Sequence, residues 1–260
     1  MSDGFDFNGH EYWQKRAATF GGSGKRSNYV ATVIERIGLP PESSVLDMGC
    51  ATGTLAIPLA LDGHSVLACD FASNMLSRLE ELAFERGANV TTKLLDWNED
   101  WEAAGIEENS VDIAIASRSL PTSNPRPYLE KLERAARKRV AVSVSGSSLP
   151  ARDPKLCAFI GREVPEKRDD VVVLDELAKM GRQPSLSYIP CERPLKSESR
   201  EWIVYELRKM AGREELSSKE EGLFEEFVDR HVRRVEIDGS QSYRLDYELI
   251  VRWALIQWDL

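Results

Sequence analysis

The stretch Ser44-Val45-Leu46-Asp47-Met48-Gly49-Cys50-Ala51-Thr52-Gly53-Thr54-Leu55 decides how the rest of the chain is read. An apolar run carries an acid near its end, passes into a Gly/Ala loop, and opens onto helix-like apolar spacing. That order is strand, tight turn, helix: the entrance to a nucleotide-type crevice in an α/β sheet. Small residues let the backbone approach a ligand closely, and the helix start offers unpaired N–H groups to the ligand's polar part. Asp47, ahead of the first glycine, can accept from a ligand ammonium or brace the loop.

Working outward, two helices precede this stretch, and strands and helices alternate after it. Upstream, His10 to Phe20 carries Tyr12, Trp13, Ala17 and Phe20 at helical spacing, and Gly21 to Gly24 breaks it. A second helix, Asn28 to Ile37, presents Val30, Val33, Ile34 and Ile37. Downstream, Ser65–Asp70 is a strand ending in an acid, and Ser73 is placed to cap the helix that Gly87 closes. Val90–Leu95 and Val111–Ala116 are further strands, the latter running into Ser117-Arg118-Ser119-Leu120. Tyr128–Lys138 is a charged helix and Arg139–Val144 a fifth strand. Such alternation implies right-handed crossovers and a mostly parallel sheet.

After Gly146 the rhythm changes. Leu174–Met180, Ser199–Met210 and Leu216–Arg230 are short helices, with one candidate strand at Ser187–Cys191. Val235–Ile237 and Tyr243–Trp258 are read as a closing hairpin turned at Asp238-Gly239. The expected division is therefore an α/β domain of residues 1–149 and 232–260, interrupted by a mainly helical cap at 150–231.

Composition bounds the partners. A formal charge of −9 over 260 residues argues against a nucleic-acid backbone as the main partner. The four cysteines show no CxxC or zinc-like spacing, which predicts reduced thiols in a cytoplasmic protein. Neither a signal-peptide pattern nor a long uncharged apolar run is present, so no membrane association is expected. Oligomeric state stays open between monomer and homodimer.

The chemistry lies at the strand ends. Asp47, Asp70, Asp96 and Ser117 recur there, and in an open parallel sheet those ends meet beside the switch in strand order. Asp70 lies about 20 residues past the glycine loop, the distance expected of an acid that accepts both ribose hydroxyls. Phe71 and Trp97 can sandwich a flat base, with Asp96 accepting from its exocyclic amine. No metal is expected, because Asp112 falls at the start of its strand rather than the end.

The arrangement resembles the class I S-adenosylmethionine-dependent methyltransferases. Their acid-x-Gly-x-Gly-x-Gly motif is matched by Asp47-Met-Gly49-Cys-Ala51-Thr-Gly53, with alanine for the middle glycine. Alanine still permits close approach provided its backbone keeps a negative φ. The resemblance implies a doubly wound, seven-stranded Rossmann-like sheet with a C-terminal antiparallel strand. It assigns Asp70 to the ribose and Asp96 to the adenine, and it sets the end of Val111–Ser119 beside the methionine part of the cofactor. A dehydrogenase loop, G-x-G-x-x-G, fits poorly, since Ala51 and Thr54 would replace two glycines.

The implied reaction is in-line displacement of a methyl group from S-adenosylmethionine, leaving S-adenosylhomocysteine. Positioning supplies most of the rate, so no catalytic base is named. Arg118 and Ser119, with Tyr12 and Trp13 of the leading helix, are the substrate-side candidates. Arg118 could pair with a carboxylate or phosphate. The expected acceptor is a small or medium organic molecule. The alternatives are a protein or RNA methyltransferase, or a non-catalytic protein that binds the cofactor for regulation.

Overall fold

Strand β1 (Ser44–Met48) is buried from Val45 to Met48, as a strand covered on both faces must be. In the computed structural model it lies parallel between β2 (Ser65–Asp70) and β4 (Val111–Ser117), so that Asp47 sits beside Ala68 and Ile115. The structure describes residues 13–14, 28–147, 152–164, 166, 168–212, 214–237 and 240–260. β3 (Val90–Leu94) pairs in parallel with β2, and β5 (Ala136–Ser145) with β4. With β6 (Ser185–Glu192) and β10 (Ile250–Asp259) the sheet has seven strands in the order β3-β2-β1-β4-β5-β10-β6. This is the mostly parallel α/β sheet that the alternation predicts. From β1 the chain runs outward to β3 and returns to β4 on the other side, so the switch in strand order falls between β1 and β4.

The helices that cover this sheet read as their apolar spacing predicts. α1 (Asn28–Ile37) buries Tyr29, Val30, Val33 and Ile37. α2 (Ala56–Leu61) follows the glycine loop. α3 (Ser73–Arg86) buries Met75, Leu76, Leu79 and Leu82 and ends at Gly87 in the left-handed region. α4 (Arg126–Ala135) buries Leu129 and Leu132. Ser73 is not the cap expected of it: Ala72 holds that position, and Ser73 opens the helix.

The described chain divides into two compact units, one of residues 1–144, 170–189 and 254–260, the other of residues 145–169 and 190–253. These boundaries differ from the expected 150–231 insertion for a reason visible in the packing. α6 (Asp169–Lys179) places Val173 and Leu177 in the same core as Leu46, Ala114 and Val142, and β6 forms the sheet's edge.

In the second unit, α5 (Pro154–Ile160), α7 (Arg200–Ala211) and α8 (Ser218–His231) bury Leu156, Ile203, Leu207, Phe224 and Phe227 with Val232 and Leu245. Those last two belong to β8 (Val232–Ile237) and β9 (Ser240–Leu245), which join β7 (Lys196–Ser197) in a separate three-stranded antiparallel sheet. The closing hairpin is thus corrected. β8 and β9 do pair antiparallel, Ile237 opposite Ser240, but outside the seven-stranded sheet, and only β10 joins that sheet. Asp238 and Gly239 lie outside the described residues.

Candidate active site

Asp47 is 1% exposed, and its Oδ2 has no hydrogen-bond partner among the described residues. Burial, then the charge of Asp70, pushes its carboxyl up to about 7, against one backbone hydrogen bond from Ala56 that lowers it. The Ala56 amide opens α2, so the acid itself takes the first-turn donor that the sequence offered to a ligand. Burial and the same two acids also raise the neighbouring thiols: Cys50 moves well above its ordinary value, and Cys69 is pushed up to about 12. The end of β1 is thus a dry site with one orphaned acceptor, Asp47 Oδ2.

The loop above it is held by the strand ends. Gly49 and Cys50 donate to the Cys69 carbonyl at 2.7 and 3.0 Å. Gly49 has φ +75°, and a Cβ there would stand 2.3 Å from that of Ser119. At Gly53, φ +81°, a Cβ would meet Leu79 at 2.8 Å and Ile57 at 2.9 Å. Both glycines are therefore required by neighbouring protein atoms, whereas the sequence reading assigned their smallness to a ligand's approach. Ala51 departs further: its φ is +48°, so the negative φ on which its tolerance rested is not kept. Its amide donates to Asp70 Oδ2 at 2.9 Å, which holds the strained residue in place.

Asp70 is 5% exposed, and its Oδ1 accepts from the Ala72 amide at 2.9 Å, so one carboxylate ties the loop to the start of α3. Asp96 follows closely, because Leu95 N–H donates to the Asp70 carbonyl at 3.0 Å. Its Oδ1 accepts from the backbone and side chain of Asn98 at 2.8 and 3.0 Å. The aromatic pair is rearranged. Trp97 is 7% exposed and packs on Trp101 (5.4 Å between ring centroids) and Tyr128 (5.5 Å) inside the main core. Phe71 lies in a different cluster with Ala51, Ala72, Met75 and Trp13. Trp97 is folded inward, and the aromatic packed against the same cluster as Phe71 is Trp13. Gln14 holds that segment to α3, accepting from the Asn74 amide at 3.0 Å and donating to Ser73 Oγ at 3.2 Å. Tyr12 lies outside the described residues.

On the β4 side, Ser119 Oγ donates to the Met48 carbonyl at 2.6 Å. That bond and the closeness to Gly49 make it a brace for the loop. Ser117 stands opposite Ser143 on β5, and both hydroxyls meet the buried Tyr29 hydroxyl, at 2.7 and 2.5 Å. The Arg118 guanidinium lies over the Tyr29 ring, 4.4 Å from its centroid. Tyr29 and Ser143 were missed in the sequence, although each left a signal. A tyrosine on a helix's apolar face must pair its hydroxyl, and a serine inside a valine/alanine strand needs a partner.

A family model described as a methyltransferase domain matches residues 45–139. These residues form a methyltransferase domain. The chain is 30% identical over 253 residues to an uncharacterised protein of Haemophilus influenzae, covering 95% of this chain and 88% of that one. Solved structures share its fold at low identity. A candidate methyltransferase of Bacillus halodurans C-125 is 14% identical with a TM-score of 0.56, covering 88% of this chain and 97% of that one. A SAM-dependent methyltransferase of Aquifex aeolicus is 15% identical with a TM-score of 0.51, covering 92% and 97%. The methyltransferase span of this enzyme contains every site residue described above except Trp13, Gln14, Tyr29 and Ser143.

Proposed function

We propose that this methyltransferase binds S-adenosylmethionine at the crevice between β1 and β4 and passes its methyl group in line to a small or medium organic acceptor, leaving S-adenosylhomocysteine. The observation that carries the reading is Asp47 Oδ2, a fully buried acceptor without a donor among the described residues, beside a loop held in left-handed geometry. An acceptor left unsatisfied in a dry site costs stability unless a cationic ligand completes it. When bound, the cofactor supplies a methyl group made electrophilic by its positive sulfur.

The chain's own residues then have to hold and orient. Asp47 favours positive charge at the foot of the loop. Asp70 is assigned the ribose hydroxyls and Asp96 the base's amino group, with Phe71 and Trp13 against its faces. Gly49, Ala51 and Gly53 shape the loop, and Ser117 closes its β4 side. No side chain is assigned as a general base, since orientation supplies the larger share of the acceleration. Four free cysteines, three of them buried, support a reducing, cytoplasmic setting. No helix among the described residues is long and apolar enough to cross a membrane.

Isothermal calorimetry with S-adenosylmethionine and S-adenosylhomocysteine tests the reading. Binding of both is expected, weakened at least tenfold in Asp70→Ala. No binding, or binding unchanged in that variant, overturns the site.

A further inference from the structure

We infer that Asn98, held by Tyr128 of α4, is the positioning residue that fixes Asp96 toward the base, so that the site takes an amino purine and rejects an oxo purine. This rests on the methyltransferase reading, in which Asp96 meets the base of S-adenosylmethionine, and adds the residues that set its selectivity.

The direction of Asp96 follows from the packing of its neighbours. Leu95 and Trp97 both lie in the main core, so the carboxylate between them is turned away from that core. The other two acids stand the same way. Asp47 lies between Leu46 and Met48, Asp70 follows Cys69, and all three of those neighbours belong to the same core. Leu94, two residues before Asp96, is the register partner of Asp70. Asp96 therefore continues the row of Asp70 on the face opposite the main core.

Its two oxygens are treated differently. Oδ1 accepts from the backbone and the side chain of Asn98, at 2.8 and 3.0 Å, whereas Oδ2 makes no hydrogen bond among the described residues. A carboxylate only accepts, so Asn98 must turn its NH2 group toward Asp96, and its own Oδ1 then takes the Tyr128 hydroxyl at 3.0 Å. The Tyr128 ring in turn packs edge-on against Trp97. Three residues along α4, Lys131 Nζ donates to the carbonyls of Trp97 and Glu99 at 2.7 Å each. The Trp101 indole donates to the Asp96 carbonyl at 3.2 Å. These bonds close the turn after β3 around Asp96, hold its side chain still and leave one oxygen to accept.

A held acceptor discriminates where a loose one does not. It bonds an exocyclic amino group and repels a carbonyl oxygen put in the same place, and the wrong ligand leaves it unpaired. A carboxylate free to turn would swing to water and lose that distinction.

The test is the ratio of the full chain's affinities for S-adenosylhomocysteine and S-inosylhomocysteine, whose ring carries an oxygen in place of the amino group, both read by calorimetry. The wild-type chain is expected to bind the adenosyl compound about tenfold or more tightly. Asp96→Ala should bring the ratio close to unity. Asn98→Ala keeps the backbone donor but loses the side-chain one, and should lower the ratio about threefold or more. Asn98→Asp still accepts from Tyr128 but sets a second carboxylate against Asp96, and should lower it further. Tyr128→Phe keeps the ring against Trp97 and should lower it by less. In the Asp96→Ala background, Asn98→Ala should have no further effect on the ratio. A residue that only stabilised the turn would weaken both compounds alike and leave the ratio unmoved. An unchanged ratio in Asn98→Ala, or an equal effect of that change once Asp96 is gone, overturns this inference alone. A wild-type chain that binds both compounds equally removes Asp96 from the base and overturns it too. A chain that binds neither overturns the methyltransferase reading beneath it.

Discussion

The sheet carries a carboxylate near each edge, and the two are treated in opposite ways. At the edge where β1 and β4 begin, Asp112 Oδ2 accepts from the Ser44 amide and hydroxyl at 3.0 Å each, and Oδ1 meets Lys138 at 2.9 Å and Arg137 at 3.2 Å. The Ser44 amide, then Lys138, holds its carboxyl well below the usual range. At the edge where those strands end, Asp47 has one backbone donor and an orphaned oxygen, and burial raises it to about 7. One edge is a latch that neutralises its own charge. The other keeps a buried acid with an orphaned oxygen beside two positive-φ glycines and a left-handed alanine, a pattern expected where a ligand completes the structure.

The largest expected effect belongs to Asp47→Asn. The folded carboxyl holds its proton up to about pH 7 while an unfolded aspartate releases it near 3.8, so stability falls as pH rises between those values. Removing the charge should stabilise the unliganded protein at pH 8 by up to about 4 kcal/mol and flatten that dependence, as read by urea denaturation at pH 5 and pH 8. A destabilised variant would mean that Asp47 is already neutralised, and the contrast between the edges would vanish.

Next in size is Gly49→Ala. Its Cβ would overlap that of Ser119 at positive φ, and a loss of about 3 kcal/mol is expected. Adding Ser119→Gly should return part of it, and simple additivity of the two changes would show that they do not collide.

Asp112→Asn acts in the opposite sense to Asp47→Asn. Its depressed folded pKa contributes stability above pH 3.8 that is lost as pH falls below it, so the substitution should cost about 1–2 kcal/mol at pH 7. Lys138 and Arg137 are well exposed, at 60% and 42%, which keeps the cost modest. Thermal melts at pH 7 and pH 3 should show the difference narrowing in acid. The smallest effect is Ala51→Gly, a gain of about 0.5–1 kcal/mol from relief of the left-handed backbone. A loss there would argue that Ala51 is not strained.

Much of this was legible beforehand, because local patterns express it. The order of strands and helices from Ser44 to Ser145 follows from apolar periodicity, and the strand-end acids follow from where each run stops. Trp97 shows the limit. It sits at a strand end like Asp70 and Asp96, but the ring's direction depends on Trp101 and Tyr128, which reach it only in three dimensions. The hairpin shows another limit, since β8 and β9 pair as their sequence suggests while the choice of sheet falls to β7.

By itself the sequence determined the parallel α/β framework, the glycine loop and the acids at 47, 70 and 96, since hydrophobic period and turn chemistry are properties of neighbouring residues. Only the tertiary structure decided that Asp47 Oδ2 lacks a donor among the described residues, that Ala51 and Arg118 are left-handed, and that Tyr29, Ser117 and Ser143 share their hydroxyls. Desolvation, backbone strain and hydrogen-bond satisfaction depend on which distant segments close over a residue, and spacing along the chain does not encode them.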